Sequence, residues 1–512
     1  MSAATRTTKS LQNAQAALLF YFLNLILQFF SRKIFLDYLG SEVLGLNTTA
    51  QNLLGFLNLA ELGIGSAVSY HLYKPLFAGD HKAINEIVSI QGWLYRRVAC
   101  IVLAGACGLM LFFPWIFAKA QIPLGYAYGS FAVLLVSSLL GYFVNYRQIV
   151  LSADQQQYRV TYSTQSIHLL KVVLQILAIR FLSHGYVWWL VLELLMALLT
   201  SWVLDRCIRR VYPWLRTIPG RGRELQKHYP GILTRTKQIF FHQIASYVLG
   251  QTSPLIIYAY ASLTQVAMYG NYMLIVTGIT RLMNALLAGI WAGVGNLVAE
   301  GDKQRIKSVF WELTTFRLWL ASVACFGMYM LGHPFITLWV GVEYQLSQSA
   351  YWALIGITFI GLSRTNDAFI GAYGMFQDVW APVVEATLNL GLSLGLGYFY
   401  GLTGILSGVL ISLLVIVVGW KPYFLYKYGF KESMWEYVWK YSKLLGLIAI
   451  VWSFCEWLVG GYVDAASLSY GKWMLAALVT EGSYISISLG MFCLSDKAAR
   501  DFVKRTFAII KL

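Results

Sequence analysis

The sequence predicts an all-α, polytopic integral membrane protein: about fourteen transmembrane helices, arranged as two six-helix lobes followed by two further helices. Three observations carry this. Of 512 residues, 58% are hydrophobic and only 12% charged, with a mean hydropathy of +0.60. A soluble fold, in which about 25% of residues are charged, has no means of covering so much apolar surface. Apolar windows of about 20 residues recur along the whole chain, the length that crosses about 30 Å of hydrocarbon. Basic residues also alternate from one connection to the next, as they do when successive loops lie on opposite sides of a membrane.

Taken in order, the windows fall at 15–36, 44–69, 93–117, 125–150, 161–183 and 186–204, making an N-terminal lobe of 1–204. Met1–Gln15 is polar and the first window lacks a small-residue cleavage site, so it is expected to stay attached as a span. A basic loop, 205–237 (DRCIRRVYPWLRTIPGRGRELQKHYPGILTRTK), separates this lobe from the next. Its charge suits either anionic lipid or a substrate phosphate. Windows at 238–260, 266–298, 310–332, 349–371, 380–399 and 403–424 make a second lobe of 238–426. The remainder, 427–512, is expected to hold an interfacial helix at 427–443, with Trp435 and Trp439 four apart. Two extra spans at 442–461 and 473–494 and a basic cytoplasmic tail complete it.

With the N-terminus inside, thirty of the 39 lysines and arginines lie on inside segments, five outside and four within spans. That asymmetry places both termini in the cytoplasm and accounts for the net charge of +16. It leaves no reason to expect nucleic acid as a partner. The six cysteines fall mostly in apolar runs without a C-x-x-C or a Cys/His cluster, so they read as small hydrophobes, and no metal site is expected.

The two halves echo one another. EVLGLN…GIGSAV…AGDHKAINEI near the second window resembles TQVAMYGN…AGVGNLVAEGDKQRIKSVF near the eighth. NYRQIVLSADQQQYR near the fourth resembles SRTNDAFIGAYGMFQDVW near the tenth. Two six-helix halves with the binding site between them are a recurrent transporter plan.

Ionisable side chains within a span are costly and by default mark a substrate or ion path. Arg281 lies about 24 Å from one end of its helix and about 29 Å from the other at 1.5 Å per residue, so it either lines a cavity or pairs with a buried acid. Arg364 precedes Asp367 by three positions, on one helix face, and serves either as a cavity cation or as half of that pair. Lys171 is a third candidate cation. Arg317 sits a turn and a half inside its helix, from where it can snorkel. Among the acids, Glu61, Glu193 and Glu385 are deep. Each either carries a proton or pairs with an arginine. His168 is read as a packed, hydrogen-bonded residue.

There is no G-x-x-x-x-G-K-[ST] or H-E-x-x-H, and the outer connections are too short for a catalytic domain. Neither ATP drive nor an enzyme activity is expected, and no cofactor.

The pattern LGxxxLGLNxxxxNLLGFLxLAELGIGSAxxYxLYKPL over Leu39–Leu76 resembles the second-span signature of Wzx-type polysaccharide flippases. These belong to the multidrug/oligosaccharidyl-lipid/polysaccharide exporter superfamily. Ala153–Arg159, Val266–Ile275, Gly293–Asp302 and Phe369–Leu396 are similar to the family in the same order, and the resemblance covers most of 15–430. It implies a flippase that moves undecaprenyl-diphosphate-linked oligosaccharide from the inner to the outer leaflet of the bacterial cytoplasmic membrane. The lobes would surround a central cationic cavity that opens alternately to each side, driven by a proton or sodium gradient.

Residue by residue, the resemblance puts Arg281 and Arg32 among cavity arginines and makes Glu61 the acid of an A-E-small-small motif. Peptidoglycan-precursor flippases carry a further arginine in the second span, which this chain lacks, and that counts against their substrate. A polysaccharide polymerase and glycosyltransferases are the partners such a role implies, and one chain suffices. A small-molecule or multidrug exporter of the same architecture, or an integral membrane polysaccharide polymerase, are the alternatives. The embedded arginines disfavour the exporter, since cationic drugs want acids.

Overall fold

The structure is a computed structural model that describes residues 3–375, 380–462, 469–495 and 500. Among these residues there is helix and no strand. In hydrocarbon no water satisfies a backbone N–H or C=O, so a crossing segment must close its hydrogen bonds on itself.

Ala3–Leu57 is broken at Gly40 (φ 82°, ψ 168°) into α1 (3–39) and α2 (41–57). A short 3-10 turn, Asn58–Glu61, leads to α3 (Ile64–Ala78). Then come α4 (His81–Leu111), α5 (Leu124–Phe143), α6 (Gln157–Phe181), α7 (Gly185–Val211), α8 (Pro230–Tyr260) and α9 (Leu263–Glu300). They are followed by α10 (Lys303–Trp339), α11 (Gln348–Leu362) and α12 (Thr365–Ala372). Trp380–Phe430 is broken at Gly401 into α13 (380–400) and α14 (402–430). The last two helices are α15 (Met434–Val459) and α16 (Tyr470–Ser495).

Each of the fourteen expected windows falls on helix, with α2 and α3 sharing the second window and α11 and α12 the tenth. Among the described residues, nine stretches are long and apolar enough to cross a membrane by length and composition, and two of these, Gln15–Glu61 and Trp380–Phe430, are pairs of helices.

The chain divides into two compact units, 1–267 and 268–512, the division falling one turn into α9. In the first, α6 packs on Ala3–Leu57 and on α7, while α5 packs on α7 and α4. In the second, α10 packs on α11 and α16, and α13–α14 pack on α11. Phe310, Tyr426 and Tyr437 form an aromatic core there, with Phe369 against Phe310 at 5.1 Å.

The repeat seen in the sequence has a physical counterpart in each unit. α3 ends at Gly79 (φ 68°), and Asp80 then caps α4 by accepting from Ala83 N. α9 ends before Gly301 (φ 78°), and Asp302 caps α10 by accepting from Gln304 N and Arg305 N. Glycine takes the left-handed position without strain and the aspartate satisfies a free helix-start N–H. The fourth and tenth windows are also broken alike. After α5 come the turn Asn145–Gln148, the short helix Ile149–Ala153 and left-handed Gln155; after α11 come α12 and left-handed Gly374. Gln377, at the end of the second copy, lies outside the described residues.

The 205–237 segment is a folded strap on the start of α4. Trp214 stacks on His81 at 3.8 Å. Asn85 Oδ1 accepts from Arg216 N and Ser89 Oγ from Ile218 N. Tyr229 donates to Glu86 at 2.9 Å, and burial with that neighbouring carboxylate pushes its hydroxyl up to about 12. All nine lysines and arginines of the strap are exposed.

Residues 427–443 divide between the end of α14, a turn at left-handed Lys431 and the first turns of α15, with no break between 434 and 443. Trp435 and Trp439 stand almost fully exposed there, 79% and 76%. The basic tail beyond Ser495 lies, but for residue 500, outside the described residues.

α13 and α14 meet backbone to backbone. Gly404 and Gly408, four apart on α14, face α13 so closely that a Cβ at Gly404 would overlap the Leu396 carbonyl. One at Gly408 would come within 2.5 Å of Ser393 N. Small residues at this spacing let apolar helices approach where no hydrophobic force joins them. Gly408→Val is therefore expected to cost about 1–3 kcal/mol through overpacking, read as a lower unfolding midpoint in detergent. Gly395→Ala on α13, whose Cβ meets nothing within 4 Å, serves as the neutral control.

Candidate functional site

The first unit holds a chamber of about 410 Å3 where the second span breaks. The break follows from sequence: Gly63 is left-handed (φ 86°), and a Cβ there would also lie 2.7 Å from the Thr236 carbonyl. The 3-10 turn before it aims Glu61 at α4 and α5. Asn58, at the start of the turn, is held from α5, where Tyr142 OH donates to Asn58 Oδ1 at 2.9 Å and Ser138 Oγ at 3.2 Å. Asn47, three turns earlier, is held the same way by Ser130 Oγ at 2.6 Å and Tyr186 OH at 2.8 Å. These two clamps fix the α2–α5 register ahead of the break.

Glu61, Gln91, Tyr95, Ser138, Tyr142 and Gln157 are among the groups lining the chamber. The Tyr95 and Tyr142 rings meet edge to face at 5.5 Å, and both hydroxyls feel the Glu61 charge. Glu61 has no ion pair among the described residues, and no lysine or arginine lines the chamber.

In the second unit, the tenth-window break gathers charge. Arg364 Nε donates to Asp367 Oδ2 at 2.9 Å, and Lys421 Nζ to Asp367 Oδ1 at 2.6 Å. Buried Glu385 lies within electrostatic reach of Arg364 and Lys421. Arg317 does not snorkel: its Nε and Nη1 donate to the carbonyls of Leu362 and Arg364 at 3.2 and 3.0 Å. A guanidinium there replaces the hydrogen bonds that α11 loses where it stops. Lys421 reaches Asp367 from between two π-helical stretches of α14, Leu414–Trp420 and Leu425–Phe430. Pro422, which has no N–H to give, sits at that irregularity.

The other expected residues are distributed as follows. Lys171 and Glu193 pair with each other at 2.7 Å between α6 and α7, Gln175 Nε2 also donates to Glu193 at 3.0 Å, and His168 feels both charges. Arg32 Nη2 donates to the Ala267 carbonyl at 3.1 Å. Arg281 is exposed on α9 and has no ion pair among the described residues. The structure thus brings together Lys171 with Glu193 in the first unit and Arg364 with Glu385 in the second.

Lys421, Asn58, Tyr95 and Tyr142 escaped the sequence reading, which had Arg317 only as a snorkelling residue. Lys421 lies near the inside end of the window 403–424, and uncharged polar groups in apolar runs give no charge signal. Their trace in sequence is helical spacing alone: Ser138 and Tyr142 four apart, Asn58 and Glu61 three apart. Among the described residues no three His, Cys, Asp or Glu side chains converge as metal ligands.

Fold and site together define a multi-pass, all-α membrane protein with polar groups clustered where its helices break. The fold is similar to that of the lipid II flippase MurJ in an inward closed conformation, with a TM-score of 0.60 and 14% identity over 96% of this chain and 99% of that one. It is also similar to a multidrug resistance MATE family transporter of the MOP superfamily in an inward-facing conformation. There the TM-score is 0.58 and the identity 15%, over 80% of this chain and 96% of the other. No protein-family model and no curated protein matches the chain.

Removing one partner of a buried ion pair leaves an uncompensated charge, whereas replacing both with apolar groups does not. Lys171→Met is expected to destabilise by about 3 kcal/mol, and Lys171→Met with Glu193→Leu to recover most of that loss. Unfolding of the purified single and double variants in detergent measures both.

Proposed function

We propose that the protein is a carrier rather than an enzyme: a flippase that moves undecaprenyl-diphosphate-linked oligosaccharide from the inner to the outer leaflet of the bacterial cytoplasmic membrane. The observation that carries this is the fold it shares, over nearly its whole length, with the lipid II flippase MurJ. The Leu39–Leu76 motif adds the Wzx-type member as the particular reading. The chain would work as a monomer with both termini cytoplasmic, alongside a polymerase and glycosyltransferases.

A diphosphate in hydrocarbon needs a cation at depth, and arginine answers it with a planar fork of donors. Arg281 leads the candidates, because Arg364 and Lys171 already have carboxylate partners that would have to be given up. Arg32 stands second. For coupling to a proton or sodium gradient Glu61 leads, since Glu193 is matched to Lys171 and Glu385 lies near two cations. A multidrug exporter is the second reading, favoured by the fold shared with the MATE transporter.

Proteoliposomes loaded with labelled lipid-linked oligosaccharide test this, with access to an outside enzyme as the readout. Wild type is expected to expose the glycan under an ion gradient, and Arg281→Ala to slow exposure at least about tenfold, the equivalent of about 1.4 kcal/mol. Glu61→Gln is expected to remove the dependence on pH or sodium. Wild-type vesicles that expose no glycan under any gradient would refute the flippase reading.

A further inference from the structure

We infer that the Glu61 chamber is a glycan-binding site, which admits uncharged or amino-bearing sugar rings and rejects phosphate. The inference rests on the flippase reading for what the ring is attached to, not for the chemistry of the site.

Size comes first. At about 410 Å3 the chamber falls within the range of small-ligand pockets, roughly 300–1,000 Å3. A bare cation wants oxygens at about 2.3–2.6 Å on all sides, and this space is far larger than such a cage. Gln91 supplies the second observation. Its side chain is only 1% exposed, it lines the chamber, and its Oε1 has no hydrogen-bond partner among the described residues. Its amide acts on the Tyr95 hydroxyl, one turn further along α4. A buried acceptor left unpaired costs about 1–3 kcal/mol, so its presence here points to a donor that comes and goes. Sugar hydroxyls are such donors.

The remaining lining suits the same ligand. Tyr95 and Tyr142 offer ring surface and hydroxyl oxygens, Tyr142 and Ser138 as acceptors because their O–H groups are given to Asn58, and Gln157 adds a longer polar arm. Asn58 is excluded as a ligand, because its Oδ1 already accepts two hydrogen bonds that hold the break in place. Glu61 is the one charged side chain in the lining. A carboxylate accepts from hydroxyl or ammonium groups and repels a phosphate brought within a few ångströms. The chamber therefore has the wrong charge for the diphosphate and the right groups for the rings beyond it.

Saturation-transfer NMR on the full chain in lipid nanodiscs tests the proposal directly. The probes are methyl glycosides of neutral hexoses and of N-acetylhexosamines, with glucosamine, glucose 6-phosphate and galacturonate. Wild type is expected to give signal with the neutral or amino sugars and none with the two anions. Gln91→Met, close in shape but without the acceptor, is expected to bind about tenfold more weakly, the low-to-middle range for one unpaired buried group. Glu61→Gln, which need not disturb packing, is expected to admit glucose 6-phosphate. Unfolding midpoints confirm that both variants fold.

Three results would overturn the assignment: no signal from any neutral or amino sugar, equal signal from the anionic ones, or unchanged binding in both variants. The flippase reading fails separately. If sugars bind as expected but wild-type proteoliposomes expose no lipid-linked oligosaccharide, the chamber stands and the flippase does not. If transport proceeds and the sugar probes fail, the reverse holds.

Discussion

The constraint on which this structure depends is that a chain crossing hydrocarbon must satisfy every backbone polar group without water. Continuous helix does so at no further cost. A broken helix does so only where side chains replace the missing ladder. Several helix ends here carry such a replacement: Arg317 on the Leu362 and Arg364 carbonyls, Asp80 and Asp302 at the starts of α4 and α10, Ser347 at α11. Breaks are consequently the places where polar side chains are already committed to the interior. That is why the chamber and the charge cluster both lie at breaks rather than along unbroken helix.

The same constraint sorts the buried charges. Lys171 and Glu193 neutralise one another, and Arg364 and Lys421 share Asp367. A pair of this kind costs desolvation at both partners and recovers it through geometry, so it is a stable end state. Glu61 has no such partner among the described residues but two tyrosine hydroxyls nearby. Under the proposed function it is therefore this carboxylate, rather than Glu193, that exchanges a proton or a ligand.

Much of this was legible in the sequence, and what was not has a definite cause. Hydropathy found the helices because length and apolar content are set by the bilayer itself. It missed that α4 begins at His81, twelve residues before its window, because that stretch is held by the strap through Trp214 and Tyr229 rather than by lipid. It read 44–69 as one helix because Asn58–Gly63 keeps an apolar rhythm while the left-handed Gly63 breaks it. The deep charges were legible individually, but whether Lys171 would meet Glu193 depends on how α6 lies on α7, which no local pattern records. Lys421 was hidden by its place near a loop; two π-helical stretches turn it inward.

The corresponding breaks of the two units hold unlike groups. Arg147 and Arg364 occupy corresponding breaks, and each is tied to the second helix after its own: Arg147 to Asp205 on α7, Arg364 through Asp367 to Lys421 on α14. In the first unit the tie is a single cation on an acid, beside a chamber whose one charge is Glu61. In the second it is a cluster with three cations, Arg317, Arg364 and Lys421, to two acids, Asp367 and Glu385. A substrate with a neutral glycan at one end and an anionic diphosphate at the other is itself unlike at its two ends. Under the proposed function, breaks that share backbone geometry but differ in charge match a substrate that is unlike at its two ends.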